Sequence, residues 1–254
     1  MKIATFNCNS VRTRLGAVLG WLEENRPDVL CLQETKAEDA DFPEGAFRDE
    51  GWHVAFRGEK SYNGVAIVSR RPADAVECGL DGGPRDEARL LHARFGDLHV
   101  VDAYVPQGRD IEHEMYAYKL AWFRRLKAYF AARFSPADRV LWCGDLNVAR
   151  EPIDVARPET KARHVCYHAD VRAAFEETLA FGFRDVFREK NPGLVDYSFY
   201  DYRTPFRAHE GGWRIDYVLA TSPLADACTA SFIDVAPRGR EKPSDHVPLV
   251  AEFA

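Results

Sequence analysis

Short apolar runs alternate with longer amphipathic stretches along most of the chain. Seven runs are strand-like in length, rich in Val, Ile, Leu and aromatics, and bounded by Gly, Pro, Asp or Asn: Lys2–Asn7, Asp28–Gln33, Gly64–Ser69, Leu98–Tyr104, Arg139–Gly144, Arg214–Ala220 and His246–Phe253. Some alternate and some are apolar throughout, the pattern of strands buried on both faces. Three stretches between them have helical spacing. Ser10 is placed to cap a helix carrying Val11, Leu15, Val18, Leu19 and Leu22, which stops before Pro27. Met115–Phe134 ends at Ser135-Pro136, and Asp170–Gly182 ends at its glycine. Strands mixed with helices predict an α/β class with sheets buried under helices. The order of strands within a sheet is not readable from this pattern.

The polar residues have an order of their own, because they gather where apolar runs end. Asn7 follows IATF, Gln33-Glu34 follows VLCL, Tyr104 follows VVDA, and Asp145 and Asn147 follow VLWCG. Asp216 lies within RIDYVL, and Asp245-His246 opens the last run. Polar residues often terminate strands, so a single case means little. Six cases supplying oxygen ligands and one base suggest a shared site. Carboxylate, amide and phenol oxygens suit magnesium, with manganese an alternative, better than zinc or copper. Phosphodiester hydrolysis needs an aligned or deprotonated water, stabilised phosphoryl oxygens and a neutralised leaving group. Asp145 is the candidate for the water, as base or as aligner. Asn147, two residues on, would share its side of an extended segment. Glu34 is the candidate metal ligand. His246, with Asp216 as carboxylate partner, would be held protonated and could donate to a phosphoryl oxygen. His164 and His168 have a ligand-like spacing but read as surface residues.

Composition changes this picture little. At 254 residues with 46% hydrophobic and 12% aromatic content, the chain can fill a substantial core, and no linker, repeat or low-complexity tract divides it. Residues 1–254 therefore read as one domain. The six cysteines form no CxxC pair, so reduced buried thiols are expected rather than a zinc site or disulfide framework. No run approaches the ~18 apolar residues of a membrane span, and the expected location is the cytoplasm. A net charge of −6 weighs mildly against a nucleic-acid partner. The weight shrinks if several of those acids surround a cation.

Seven segments, FNCNSVR, DVLCLQETK, YNGVAIVSR, DAYVPQG, VLWCGDLNVA, GWRIDYVL and EKPSDHVPLV, resemble the exodeoxyribonuclease III family of apurinic/apyrimidinic endonucleases, within the endonuclease/exonuclease/phosphatase superfamily. They run in order from Met1 to about Glu252. The resemblance implies a four-layer α/β sandwich, two mixed sheets face to face with helices on both outer faces. It implies magnesium-dependent cleavage 5′ to abasic sites in duplex DNA leaving a 3′-hydroxyl, with 3′-end cleaning and 3′→5′ exonuclease activity; nothing in the sequence suggests an obligate oligomer, so a monomer is expected. Carried over by motif, Glu34 binds the metal, Asn7 and Asn9 shape the metal and phosphate site, and Asp245 sits beside the metal. Tyr104 contacts phosphate, Asp145 and Asn147 serve the nucleophile, and Asp216 orients His246. Asn63 and Arg109 are expected substrate contacts. Phe199, Trp213 and Ile215 would wall a small apolar pocket that admits an abasic sugar and excludes an intact nucleotide. Cys8, Tyr200 and a short Thr204–Gly212 stretch depart from the family's usual pattern. Asn at position 9 favours the bacterial exonuclease branch. Two alternatives stand beside this reading: another nuclease or phosphodiesterase of the superfamily, and a non-catalytic binding relative.

Overall fold

The computed structural model describes residues 1–83 and 86–254. In chain order the elements are β1 (Lys2–Asn7), α1 (Leu15–Asn25), β2 (Val29–Gln33), α2 (Glu44–Asp49), β3 (His53–Arg57), β4 (Val65–Ser69), β5 (Ala75–Cys78), β6 (Leu90–Phe95), β7 (Leu98–Ala103), α3 (Glu114–Arg133), β8 (Arg139–Asp145), α4 (Ala169–Leu179), β9 (Phe183–Asp185), α5 (Val186–Lys190), β10 (Asp216–Thr221), α6 (Ser222–Ala225), β11 (Cys228–Ile233) and β12 (Leu249–Phe253), with short 3-10 turns between them.

Among the described residues the strands form two six-stranded sheets, β11-β12-β1-β2-β4-β3 and β5-β6-β7-β8-β10-β9. Each is mixed, with one parallel pair, β1/β2 in the first and β7/β8 in the second. Three apolar clusters mark the interfaces of a four-layer sandwich. Trp21 and Leu22 of α1 pack with Phe6, Leu30 and Val68 on the outer face of the first sheet. Trp122, Phe123 and Phe130 of α3 and Phe175 of α4 cover Val101, Trp142 and Tyr217 on the outer face of the second. Ile3, Cys31 and Ile67 meet Val100, Leu141, Cys143 and Val218 between the sheets.

Strand periodicity carries the site. Successive side chains point to opposite faces. Because Ile3, Cys31, Val100, Cys143 and Val218 face the inter-sheet layer, so do Asn7, Gln33, Asp102, Asp145 and Asp216 at even spacing from them. The inner layer is thus apolar along most of its length and polar at one end. Asp145 and Asp216 are direct partners in the β8/β10 ladder. Just before Asp145, Gly144 has φ +133°, and a Cβ there would lie 2.0 Å from the Ala103 carbonyl oxygen, so β7 and β8 approach closely only around a glycine.

The expected strands are present with ends shifted by a few residues, the largest shift being at the last, where residues 246–248 are an extended arm before β12. Five strands lie outside the seven expected runs: β3, β5, β6, β9 and β11. β3 and β5 are half-exposed sheet edges, and β9 has three residues. β6 carries His92 and Arg94, which interrupt its apolar signal. The expected helix capped by Ser10 is corrected: α1 begins at Leu15. Ser10 has φ +88°, and the amides of Ser10 and Val11 donate to the carbonyls of Glu34 and Thr35, so this segment follows the end of β2 instead of coiling. His113 and His168 cap α3 and α4 through their ring Nδ1. All six cysteines are free, and five are buried. No helix among the described residues is long and apolar enough to cross a membrane.

The two histidines in the middle of the second sheet bear on acid stability. His92 Nε2 and His99 Nδ1 are 3.0 Å apart, and His92 Nδ1 is buried without a partner among the described residues. Burial and the neighbouring His99 push the His92 pKa down to about 4. A group depressed in the folded state contributes stability above its unfolded value, about 6.5, and loses it as pH falls through the folded value. The melting temperature is therefore expected to fall by a few degrees more between pH 6.5 and 4 in the wild type than in His92→Gln. Parallel melting curves for the two proteins over that window would show that His92 is not the group.

Candidate active site

Both sheets deliver polar side chains to the same end of the inner layer, where a cavity of ≈ 360 Å³ opens. Its lining includes Glu34, Tyr104, Asp145, Asn147, Phe199, Trp213, Ile215, Asp245 and His246. A larger cavity, ≈ 500 Å³, lies between Trp52, Val54, Ala73 and Phe95 near the sheet edges, and no catalytic constellation lines it.

One amide joins the two sheets across the floor. Asn7 Nδ2 donates to Glu34 Oε1 and to Asp145 Oδ2, each at 2.9 Å. Asn7 Oδ1 is taken by the Asn9 amide at 3.0 Å, which fixes the orientation of the Asn7 side chain. Asn9 in turn donates from Nδ2 to Asp245 Oδ1 at 2.9 Å and accepts from Lys36 at 2.7 Å. Glu34 sits at φ +51°, turning its side chain from the strand end into the site. Burial opposes its charge, but the Lys36 ammonium, 2.7 Å from Oε2, and the Asn7 amide hold its carboxyl below the usual range.

Asp145, His246 and Asp216 form the second group. His246 Nδ1 lies 2.8 Å from Asp216 Oδ2, and Nε2 faces Asp145 Oδ2 at 3.7 Å. Burial disfavours the imidazolium, but the two carboxylates outweigh it and raise the ring's pKa. Burial pushes Asp145 upward, with Asp216 and Glu34 adding to the rise and His246 opposing it. These three residues bring ligand atoms within 4.8 Å of one another and could be read as a metal cluster. The ring, however, is engaged by Asp216 and held charged between carboxylates, which suits proton transfer better than ligation. By donor type, the carboxylates of Glu34 and Asp245 with the side-chain amide of Asn7 suit a hard divalent cation. The Lys36 ammonium already spans Glu34 and Asn9 in this cation-seeking corner.

Tyr104 keeps its proton, because burial and then the charges of Glu34 and Asp145 push its hydroxyl pKa well up. Arg89 lies over its ring at 4.8 Å and donates to its carbonyl at 3.1 Å. Asn147 is not on an extended segment: it follows β8 at φ +51°, with its amide donating to Asp145 Oδ1 at 3.0 Å and its side chain to the Val105 carbonyl at 3.0 Å. The expected placement beside Asp145 thus arises from a turn, not from strand alternation.

The apolar wall is built from paired extended segments. Phe199 and Trp213 exchange two backbone hydrogen bonds at 2.8 and 2.9 Å, and the Phe199 ring lies 5.0 Å from His246. Ile215 completes the wall. Behind it, fully buried Arg214 binds Asp154 through two nitrogens at 2.8 and 3.0 Å and Asp185 at 2.8 Å. His164 stacks near Trp213 with centroids 4.4 Å apart, and Lys161 stands over the same ring at 5.5 Å.

Asn7, Asn9 and Asp216 do not line the cavity but bond to residues that do, whereas the expected contacts Asn63 and Arg109 lie outside the lining. Asn63 sits in a left-handed turn with its amide on Glu59, and its carbonyl accepts from the Lys36 amide. Arg109 is exposed at φ +60°, while Gln107, two residues earlier, lines the cavity. Sequence reading missed Gln107, Lys161 and Asp201 in the lining, and Lys36 and Lys119 beside it. Lys36 was in sight within QETK, immediately beyond the glutamate. Lys119 gave no signal, being one lysine in a charged helix. It is fully buried, and its three hydrogens serve the carbonyls of Gln107, Asn147 and Val165 at 3.1, 2.6 and 2.9 Å, joining three loops behind Asn147. Lys119→Met should cost about 3 kcal/mol or more, since three carbonyls lose a charged donor, and should lower turnover more than substrate affinity. A denaturation midpoint and a kcat/KM split matching the wild type would refute that role.

Comparison with known proteins agrees with this geometry. A model of the Endonuclease/Exonuclease/phosphatase family matches residues 4–246. Exodeoxyribonuclease III of Haemophilus influenzae is 31% identical over 100% of both chains. An AP endonuclease structure from Archaeoglobus fulgidus has a TM-score of 0.98 at 50% identity, covering 100% of this chain and 99% of that one. The 3′-5′ exonuclease from Neisseria meningitidis has a TM-score of 0.95 at 34% identity, with the same coverage. With its strand-end carboxylates, paired histidine and apolar wall in one cavity, the chain belongs to the endonuclease/exonuclease/phosphatase family, in the exodeoxyribonuclease III and AP endonuclease branch.

Proposed function

We propose that this protein is a magnesium-dependent DNA repair phosphodiesterase that cuts the backbone 5′ to abasic sites, leaves a 3′-hydroxyl, and also trims blocked 3′ ends and 3′→5′ on duplex DNA. One observation carries the reading: the Asn7-bridged Glu34–Asp145 pair and the Asp216–His246 pair meet in one cavity beside an apolar wall. The two pairs supply the means to hydrolyse a phosphodiester, and the wall the means to choose a sugar without a base. The same reading takes residues 1–254 as one catalytic domain acting as a monomer in the cytoplasm.

Glu34, with Asn7 and Asp245 beside it, would hold the magnesium, and Mn²⁺ would fit the same oxygen set. When bound, the metal supplies positive charge to phosphoryl and leaving-group oxygens. The chain's own residues do the rest. Asp145 aligns the attacking water and is placed to take its proton, and Asn147 helps hold the nucleophile beside it. His246, kept charged by Asp216, donates to a phosphoryl oxygen, and Tyr104 offers its hydroxyl to the same group. Phe199, Trp213 and Ile215 exclude water and reject a base by size, while Asn9, Asn63 and Arg109 would steady the DNA backbone. A second reading, in which 3′-end processing dominates, draws on His164 and Lys161 crowding Trp213 and on a Neisseria relative described as a 3′ phosphatase bound to product DNA hairpin.

A duplex with a single abasic analogue, run beside an undamaged 3′-recessed duplex with magnesium, decides between them. The expected product is one cut 5′ to the analogue. Uniform nicking of both duplexes would reject the repair assignment, and degradation from the recessed end alone would favour the second reading. Asp145→Asn should lower kcat by about a thousandfold with DNA binding retained, because the group acts in the transition state. His246→Asn should lower it by about a hundredfold. Equal losses of binding and turnover in Asp145→Asn would remove Asp145 from the chemistry.

A further inference from the structure

A polar layer lies one step deeper than the catalytic groups and has no part in the chemistry above. Gln33 on β2 spends both amide hydrogens, on Thr5 Oγ1 at 2.9 Å and on Asp102 Oδ1 at 2.6 Å. Among the described residues, its own Oε1 is buried without a donor, and so is Asp102 Oδ2. Two orphaned acceptors therefore sit on two residues already bonded to each other. Asp102 is fully buried on β7, and the groups facing it are Gln33 and the thiols of Cys31 on β2 and Cys143 on β8, all uncharged near neutral pH. A lone ionised carboxylate in such a place is strongly disfavoured. A proton on Oδ2 removes the difficulty: the carboxyl loses its charge, and Oδ2 becomes a donor next to a residue whose Oε1 lacks one. Reversing the Gln33 amide leads to the same conclusion: its oxygen would then face Asp102 Oδ1 at 2.6 Å, a contact that also needs a proton.

We propose that Asp102 is a neutral carboxylic acid, joined to the Gln33 amide by two hydrogen bonds across the two sheets, and that this pair is a positioning element for Glu34. Gln33 immediately precedes Glu34, so fixing its side chain fixes the strand end from which Glu34 turns into the cavity. The acid–amide pair stands on its own geometry, whereas its effect on a bound metal rests on the reading of Glu34 given above.

Infrared difference spectra of wild type and Asp102→Asn at neutral pH test the first part. A carboxylic-acid C=O band present in the wild type and absent in the variant is expected, and loss of a carboxylate band instead would overturn the proposal. Mn²⁺ binding followed by electron paramagnetic resonance tests the second. Asn at position 102 supplies a donor and an acceptor in the same places, so Asp102→Asn should bind Mn²⁺ like the wild type. Asp102→Leu supplies neither and should bind roughly tenfold more weakly or worse. Equal affinity in a folded Asp102→Leu, or an Asp102→Asn as impaired as Asp102→Leu, would overturn the positioning role. If Asp102→Leu does not fold, Gln33→Leu is read in its place against the same outcomes. A wild type that binds no Mn²⁺ would overturn the metal reading and the positioning role together, leaving the infrared result to judge the acid alone.

Discussion

Everything in the site depends on one side-chain amide. Asn7 stands on the first strand of one sheet and reaches a carboxylate on each side of the inter-sheet layer, Glu34 from its own sheet and Asp145 from the other. Its two N–H groups offset the repulsion between two acids that burial has already made costly. Its oxygen is occupied by the Asn9 backbone, so the amide cannot turn away. A carboxylate at position 7 would add a third negative charge, and an aliphatic residue would leave two acids without a shared partner. The sandwich converges on this point: three apolar interfaces hold the layers in register, and polar contact between the sheets is concentrated where the apolar packing ends.

The strand-end clustering of polar residues was legible because the inter-sheet layer imposes a period of two on every strand that enters it. Val-Leu-Trp-Cys-Gly before Asp145 and Val-Leu-Cys-Leu before Gln33-Glu34 are buried on both faces, so a polar residue at the end stands out. Legibility failed where that contrast disappears. β3 and β5 are half-exposed edges, and β6 carries two polar side chains among its apolar ones. Asn147 stands beside Asp145 through a positive-φ turn and not through alternation, and no strand pattern signals such a turn. Lys119 could not have been read at all, because the loops it ties together are 12 to 46 residues distant in sequence. Recognition of motifs, rather than residue chemistry, carried the step from phosphodiesters in general to DNA.

The pocket wall illustrates how a weakly regular segment can still be rigid. Phe199, Trp213 and His246 belong to no long strand, yet isolated bridges pair Phe199 with both of the others. Arg214, between the wall residues Trp213 and Ile215, is anchored to Asp154 and Asp185, and Arg188 reaches Asp154 from α5 at 2.6 Å. An ion-paired network of this kind contributes little net stability and is valuable mainly for fixing a geometry. Here it aligns the backbone on which two aromatic walls are mounted.

The antiparallel seam between β1 and β12, with Lys2 opposite Glu252, also sets an order in time. Asn7 ends β1, and His246 lies three residues before β12 begins. The two halves of the site cannot meet until the final strand has closed onto the first. A chain in which β12 has not docked on β1 therefore carries no assembled site, and its polar residues act together only once that seam is closed.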